Sequence, residues 1–142
     1  MNSARPMTTD SGAATERVVV DASAMVDVLV SSDRAPAVIS RLSGHAWVAP
    51  AHFDAEVSSA LARLERAGVI GETTAGQAVA ALHEAPVDRQ PLPGLLAGAW
   101  TRRSGLRILD ALYVELAEQL GCELITTDHR LARAVPWVRP IG

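Results

Sequence analysis

Residues 17–23 have the sequence Arg-Val-Val-Val-Asp-Ala-Ser, in which three consecutive β-branched residues end at a carboxylate. A short apolar run without alternation is typical of a strand that is buried on both faces of a sheet. Apolar residues at helical spacing follow between positions 24 and 29, so the strand is predicted to lead directly into a helix. Asp21 is therefore expected at the carboxyl end of a central strand.

Strands and amphipathic helices alternate along the rest of the chain. Further strands are predicted at 47–49, around Val87, at 123–127 and at 135–138. This alternation predicts an α/β fold, a three-layer α/β/α sandwich around a central, mostly parallel sheet of four to five strands. The helix faces predicted to pack inward or against a second copy of the chain include Ile39, Val79, Leu96 and Trp100.

The composition is that of one folded domain, because the 142 residues are 49% apolar and 20% charged. Residues 1–16 are small and polar and are predicted to form a flexible tail ahead of a domain at 17–142. A single cysteine, Cys122, excludes a disulfide framework and a cysteine-based zinc site. No run approaches the ~20 apolar residues of a membrane span, and no signal-peptide core is present, so we expect a cytoplasmic protein without membrane contact.

All 13 cationic residues are arginines, and the formal net charge is −3. The absence of lysine excludes a Walker A loop, a Schiff-base enzyme and a lysine-dependent phospho-acceptor domain. The sequence Asp21-Ala22-Ser23 also lacks the second aspartate of a haloacid-dehalogenase-like phosphatase. Because no general basic field exists, a polyanionic partner would have to be held by local arginines or by a bound metal ion.

Four carboxylates stand at places where a site could be built. Asp21 and Asp128 each follow a predicted strand, Asp110 begins a predicted helix, and Glu56 borders the apolar stripe of another helix. Each has a structural alternative: the aspartates could cap helices or turns, and Glu56 could extend into water. If the four converge, their mutual repulsion would raise their pKa values or attract a cation such as Mg²⁺ or Mn²⁺. Asp27, further along the first helix, is expected on a solvated face.

Four segments come in the order of a known family. They are VVVDAS at 18–23, FDAEVSSAL at 53–61, LDALYVELA at 109–117 and LITTDHRL at 124–131. In order, spacing and length the chain resembles a PIN domain, and specifically the VapC-type toxin ribonucleases of bacterial toxin–antitoxin pairs. The resemblance covers about Val18 to Ile141, so it implies that residues 17–142 form a PIN domain.

This resemblance implies a magnesium-dependent endoribonuclease, with Mn²⁺ as a substitute, that hydrolyses RNA phosphodiester bonds. Asp21 and Asp110 would be the principal metal ligands, and Glu56 and Asp128 would complete a four-carboxylate catalytic pocket. Ser23 would bond a ligand water, and Thr126 would orient Asp128. The metal would activate a water molecule for attack on phosphorus.

The resemblance also implies partners. Family members cut single-stranded stretches of structured RNA, often transfer RNA, and are commonly homodimers. A VapB-type antitoxin silences them and carries the complex to promoter DNA, so DNA contact would be indirect. The alternative function is a catalytically silent PIN-fold module that binds RNA or a partner.

Arginines near the predicted pocket are candidates for RNA phosphate binding. Arg102 and Arg103 end one helix, and Arg130 follows Asp128. The alternative is that these side chains are solvated or stabilise a helix C-terminus.

Overall fold

A computed structural model describes residues 15–142 and shows a sheet of four parallel strands. The strands are β1 (Arg17–Val20), β2 (Ala46–Pro50), β3 (Val87–Gln90) and β4 (Leu124–Ile125). Their spatial order is β3-β2-β1-β4, so β1 has a neighbour on each side. The predicted tail at 1–16 lies outside the described residues except for its last two positions.

Helices connect the strands and cover the sheet. Within the described residues they are α1 (Ala22–Leu29), α2 (Ala35–Leu42), α3 (Phe53–Arg66), α4 (Glu72–Glu84), α5 (Pro93–Thr101), α6 (Ile108–Leu120) and α7 (His129–Ala134). The predicted α/β class with a central parallel sheet is therefore confirmed.

The core is centred on β1 and α6. Val18, Val19 and Val20 are at most 2% exposed, as expected for a strand covered on both faces. In α6 the run from Asp110 to Val114 is buried throughout, and Tyr113 is among the largest fully buried side chains. Burying a valine side chain, as in β1, stabilises a fold by roughly 1.5–3 kcal/mol. The carboxylates at the end of β1 and in the first turn of α6 thus belong to well-packed elements.

Helices α5 and α6 approach each other closely at Gly98. A Cβ atom at this position would overlap the carboxylate of Glu115 on α6. The same carboxylate accepts a hydrogen bond from Arg102, whose guanidinium also donates to Glu118 Oε1 at 2.7 Å. Gly98 therefore leaves the space that the Glu115 carboxylate occupies when it pairs with Arg102.

The end of the chain differs from its prediction. The strand predicted at 135–138 is wrong, since these residues form a turn in which the Val138 amide donates to the Val135 carbonyl. The strand predicted at 123–127 is shorter than expected and ends at Ile125. The reason is that its neighbour β1 ends at Val20, and beyond Ile125 the Thr126 carbonyl accepts from the Ile141 amide, outside the sheet.

Several helix faces predicted to be covered face solvent instead. Exposed fractions are 51% for Ile39, 46% for Val79, 50% for Leu96 and 58% for Trp100. Each follows or precedes a buried residue by one position, so the apolar stripe is wider than the surface that the core covers. The guanidinium of Arg103 covers the Trp100 ring at 4.4 Å from its centroid.

Among the described residues, no helix combines the length and the apolar character that crossing a bilayer would need.

Candidate active site

Asp21 lies at the carboxyl end of β1, at the N-cap position of α1. Its side chain makes no capping hydrogen bond; instead Oδ2 accepts from the hydroxyls of Ser23 at 2.6 Å and Thr126 at 2.7 Å. Burial raises the pKa of Asp21 to about 6, and the negative charges of Asp110 and Glu56 add to the rise, while the two hydroxyls oppose it. A buried carboxylate that is bonded on only one oxygen is a strong candidate ligand for a cation.

Glu56 projects from α3 and is held by two aromatic side chains. Tyr113 on α6 donates its hydroxyl to Glu56 Oε1 at 2.9 Å. His52 Nε2 lies 3.5 Å from the same oxygen and 2.9 Å from the Leu109 carbonyl, and its ring packs on that of Tyr113 at 4.9 Å. Burial and the nearby carboxylates raise the pKa of Tyr113, so its hydroxyl remains protonated and donates.

Neither His52 nor Tyr113 was predicted to contribute to the site. Tyr113 has a visible signal, because a tyrosine three residues after Asp110 lies on the same face of α6. His52 has a local signal as well, because it lies four residues before Glu56, whereas its contact with the Leu109 carbonyl joins residues 57 positions apart. His52 Nδ1 is buried and has no hydrogen-bond partner within the described part of the chain.

Asp110 lies in the first turn of α6 and not at its N-cap, which is Arg107. The capping alternative is therefore wrong for this residue. Both of its oxygens accept from the Arg107 guanidinium, with Nε and Nη2 each at 3.0 Å. Arg130 Nη2 lies 3.6 Å from Asp110 Oδ2. The negative charge of this buried carboxylate is balanced by two arginines.

Asp128 combines a structural contact with a place in the site. Its Oδ1 accepts from the backbone amides of Arg130 and Leu131, so it caps α7 as the capping alternative predicted. Its Oδ2 accepts from Arg130 Nη2 at 3.1 Å. Burial raises the pKa of Asp128, but the amide and guanidinium hydrogen bonds outweigh it and lower the pKa below its ordinary value.

These four carboxylates, with Ser23, line one open cavity of about 690 Å³ at the carboxyl end of the sheet. Thr126 lies behind it, bonded to Asp21 and to the Asp128 amide. The lining also includes apolar residues, namely Val26, Val30, Ala60, Leu64, Val69 and Ile70. The structure thus brings the four predicted carboxylates to one cavity.

Asp27 is a fifth carboxylate in the same cavity. It accepts from Thr127 Oγ1 at 2.7 Å and from Ser32 Oγ at 2.6 Å, and its side chain is only 13% exposed. The prediction that Asp27 lies on a solvated face is wrong. Its partner Thr127 is 100 positions away, so no local sequence pattern predicts the contact.

The three arginines proposed for RNA binding lie in different surroundings. Arg130 lines the acidic cavity. Arg103 lines a smaller adjacent cavity of about 360 Å³ together with Arg107 and Asp110. Arg102, at the end of α5, lines neither cavity. Its guanidinium pairs with Glu115 and Glu118 of α6.

The donor set has the chemistry that a hard divalent cation prefers. All four predicted residues offer carboxylate oxygens, which suit Mg²⁺ and Mn²⁺. Within residues 15–142, however, no three His, Cys, Asp or Glu side chains already form a metal-binding group. The guanidinium groups of Arg107 and Arg130 occupy positions beside Asp110 and Asp128. The carboxylate oxygens are thus suitable ligands for such a cation, but the side chains must rearrange before several of them can contact one ion.

Comparison with known proteins agrees with this geometry. The family model described as PIN domain matches residues 18–135. The chain belongs to the PIN-domain family. It is also 58% identical over 128 residues to Ribonuclease VapC3 of Mycobacterium tuberculosis, a match that covers 89% of this chain and 93% of the relative. Ribonuclease VapC12 of the same species is 38% identical over 117 residues, covering 82% of this chain and 91% of the relative. The predicted membership of the VapC toxin family is therefore confirmed.

Solved structures share the fold of this PIN domain. A protein of Pyrobaculum aerophilum, PAE2754, superposes with a TM-score of 0.64 at 25% identity, covering 87% of this chain and 83% of that one. VapC20 of Mycobacterium tuberculosis, described as a sarcin-ricin loop cleaving toxin, superposes with a TM-score of 0.62 at 18% identity, covering 83% and 95%. VapBC2 of Rickettsia felis, solved with a DNA fragment from its promoter, gives 0.60 at 11% identity, covering 89% and 99%.

Proposed function

We propose that this VapC-family protein is the ribonuclease toxin of a toxin–antitoxin pair, and that it is a divalent-metal-dependent endoribonuclease. The ribonuclease activity is supported by the 58% identity to Ribonuclease VapC3 over nearly the whole domain. One observation carries the chemistry: Asp21, Glu56, Asp110 and Asp128 come from four separate segments and line one cavity at the carboxyl end of the sheet.

Asp21 and Asp110 would hold the ion, with Glu56 and Asp128 adding negative charge around it. Mg²⁺ is the proposed ion and Mn²⁺ its substitute; either would supply an activated water at neutral pH. Ser23 and Thr126 fix Oδ2 of Asp21 and leave its other oxygen for the cavity, since no hydrogen bond to Oδ1 is found among the described residues. Tyr113 fixes Glu56 in the same way.

RNA would reach a pocket that is acidic on balance, because five carboxylates and four arginines line the cavity and the chain carries a net charge of −3. Of the three arginines predicted to bind RNA, Arg130 lines this cavity, and its side chain is 59% exposed. We expect it to bind a substrate phosphate. Arg103 could reach a flanking phosphate, whereas Arg102 is already paired with two acids. Single-stranded parts of structured RNA, transfer RNA included, are the proposed substrate class.

A VapB-type antitoxin is the proposed protein partner, and promoter DNA would be contacted through it. The apolar residues of the cavity lining, which include Val26, Val30, Leu64 and Ile70, offer contacts for an apolar antitoxin segment. The exposed Leu96 and Trp100 on α5 offer a separate apolar face for the proposed homodimer. A cytoplasmic location would place the protein with these partners.

Cleavage of RNA by purified protein tests the proposal. The wild type should cut a transfer RNA mixture in Mg²⁺, leave 5′-phosphate ends, and stop when the metal is chelated. Asp21→Asn should lose cleavage, whereas Asp33→Asn, at an exposed aspartate outside the cavity, should retain it.

The second candidate function is a silent module that binds RNA or a partner. It is favoured by the ion pairs that already neutralise Asp110 and Asp128. Identical RNA products from the wild type and Asp21→Asn would support that alternative and contradict the nuclease.

A further inference from the structure

Arg107 lines the acidic cavity and pairs with one of its buried carboxylates. Its Nε and Nη2 donate in parallel to the two oxygens of Asp110, each at 3.0 Å, in the two-pronged geometry that gives arginine–carboxylate pairs their strength. The Asp110 side chain is only 8% exposed, whereas that of Arg107 is 57% exposed. The pair therefore joins a fixed, buried anion to a cation that borders solvent.

The charge on Arg107 acts on more than one acid of the site. Asp110 raises the pKa of Arg107 through its hydrogen bonds and its charge, and Glu56 and Asp128 contribute to the same rise. Arg107 thus sits in the field of three of the four carboxylates proposed to surround a divalent ion. A cation bound at Asp110 would stand beside the guanidinium and be repelled by it.

The second arginine at the site has a different geometry. Arg130 lies 3.1 Å from Asp128 and 3.6 Å from Asp110, and so it bridges two acids with single contacts. If Asp110 were taken by another cation, Arg130 would retain its contact with Asp128. Arg107 has no second acidic partner among the described residues, because both hydrogen bonds of its guanidinium are made to Asp110.

We propose that Arg107 is an internal competitor of the divalent ion: its guanidinium occupies Asp110 when the site is metal-free and must leave when the ion binds. The proposal rests on the proposed function, since it takes Asp110 to be a metal ligand. The side chain can move without disturbing the core, because it is more than half exposed and its residue precedes α6. The consequence is that Arg107 weakens metal binding, in contrast to a residue that builds the site.

Metal binding itself, without RNA, measures this competition. Mn²⁺ is titrated by calorimetry into chelator-treated wild type, Arg107→Gln and Arg107→Lys. Arg107→Gln should bind Mn²⁺ at least about fivefold more tightly than the wild type, because the lost ion pair is worth roughly 1 kcal/mol. Arg107→Lys retains the charge but not the fork and should lie between them.

Arg63→Gln is the matched control. Arg63 lines the same cavity, but it donates to Ser59 Oγ at 3.0 Å, so its removal should leave the Mn²⁺ affinity within about twofold. A cooperative thermal unfolding transition for each metal-free variant would show that it is folded.

The possible results separate the inference from the proposed function. Wild type and Arg107→Gln with equal Mn²⁺ affinity, or Arg107→Gln with weaker affinity, would overturn the competition and leave the metal site standing. Binding by neither protein would overturn both the metal site and the competition. Detectable binding only by Arg107→Gln would support the competition in its strongest form.

Discussion

The hydroxyl of Tyr113 donates a hydrogen bond of 2.9 Å to Oε1 of Glu56 and so links α6 to α3 beneath the acidic cavity. Tyr113 is fully buried, and the Glu56 side chain is 20% exposed. The contact therefore fixes an acid that faces the cavity through a residue that belongs to the core. A site built in this way depends on helix packing as much as on its charged groups.

Tyr113→Phe should separate these two contributions. The ring remains, so packing is retained, but the hydrogen bond to a carboxylate is lost at a cost of about 2 kcal/mol in the free energy of unfolding. Because a supporting contact of a proposed metal site is removed, RNA cleavage should fall roughly tenfold. Denaturant unfolding and cleavage rates measure the two effects. A double-mutant cycle with Glu56→Gln is the control, and additive losses would mean that the two side chains do not act together.

Asp21→Asn should make the metal-free protein more stable while it abolishes cleavage. Asp21 is buried with a pKa raised to about 6, so its charged form is unfavourable at neutral pH. Removing that charge should raise the free energy of unfolding by on the order of 2 kcal/mol at pH 7.5. Urea unfolding in the presence of a chelator measures the difference, with Asp33→Asn as the exposed control. A destabilised Asp21→Asn would contradict the electrostatic cost of this residue.

The same carboxylate gives a pH dependence of defined sign. A raised folded-state pKa means that the native protein retains the Asp21 proton to higher pH than the unfolded chain. The contribution of Asp21 to stability is therefore full below about pH 4, declines as the pH rises and is lost above about pH 6. Subtracting the profile of Asp21→Asn from that of the wild type isolates this contribution. A difference that stays constant across this range would show that the pKa is not raised.

The sequence was sufficient to predict the elements that bring Asp21 and Asp128 together. Parallel strands end at one edge of a sheet, and both residues directly follow the predicted strands at 18–20 and 123–127. The four-strand parallel sheet then follows from the alternation of strands and helices. These predictions depend on local sequence patterns, which determine where strands and helices form in the folded chain.

Contacts between distant residues could not be predicted in this way. The Thr127 hydroxyl donates to Asp27 across 100 positions, and this acid, expected on a solvated face, is part of the cavity lining. Periodicity also assigned Ile39 and Val79 to buried faces, because it cannot tell how far the neighbouring elements extend over a helix. The Arg107–Asp110 pair has helix spacing of three, so the sequence contained its signal, but a capping interpretation of Asp110 competed with it.

Arg89 offers a prediction for stability away from the cavity. Its guanidinium pairs with both oxygens of Asp54 on α3, at 2.8 and 3.0 Å, and donates to the carbonyls of Leu82, Ala85 and Val87. Arg89→Ala should lower the free energy of unfolding by about 2–3 kcal/mol, because partly buried acceptors lose a charged donor. Arg139→Ala, at an arginine whose pair with Glu123 is exposed, should cost less than about 1 kcal/mol. Mn²⁺ affinity should be unchanged in both, and a weakened affinity in Arg89→Ala would mean that this clamp also shapes the site.

Thr126→Val should move the acid limb of the pH profile for RNA cleavage. The Thr126 hydroxyl donates to Asp21 Oδ2 at 2.7 Å and accepts from the Asp128 amide at 2.9 Å, and valine keeps the shape but loses both contacts. Since the hydroxyl lowers the pKa of metal-free Asp21, its loss should raise that pKa further, so that protons compete with the metal ion for Asp21 up to a higher pH and the acid limb shifts upward. Thr126→Ser restores the hydroxyl and should restore the limb. Cleavage that falls equally at every pH in Thr126→Val would show that Thr126 supports the backbone at Asp128 and does not tune Asp21.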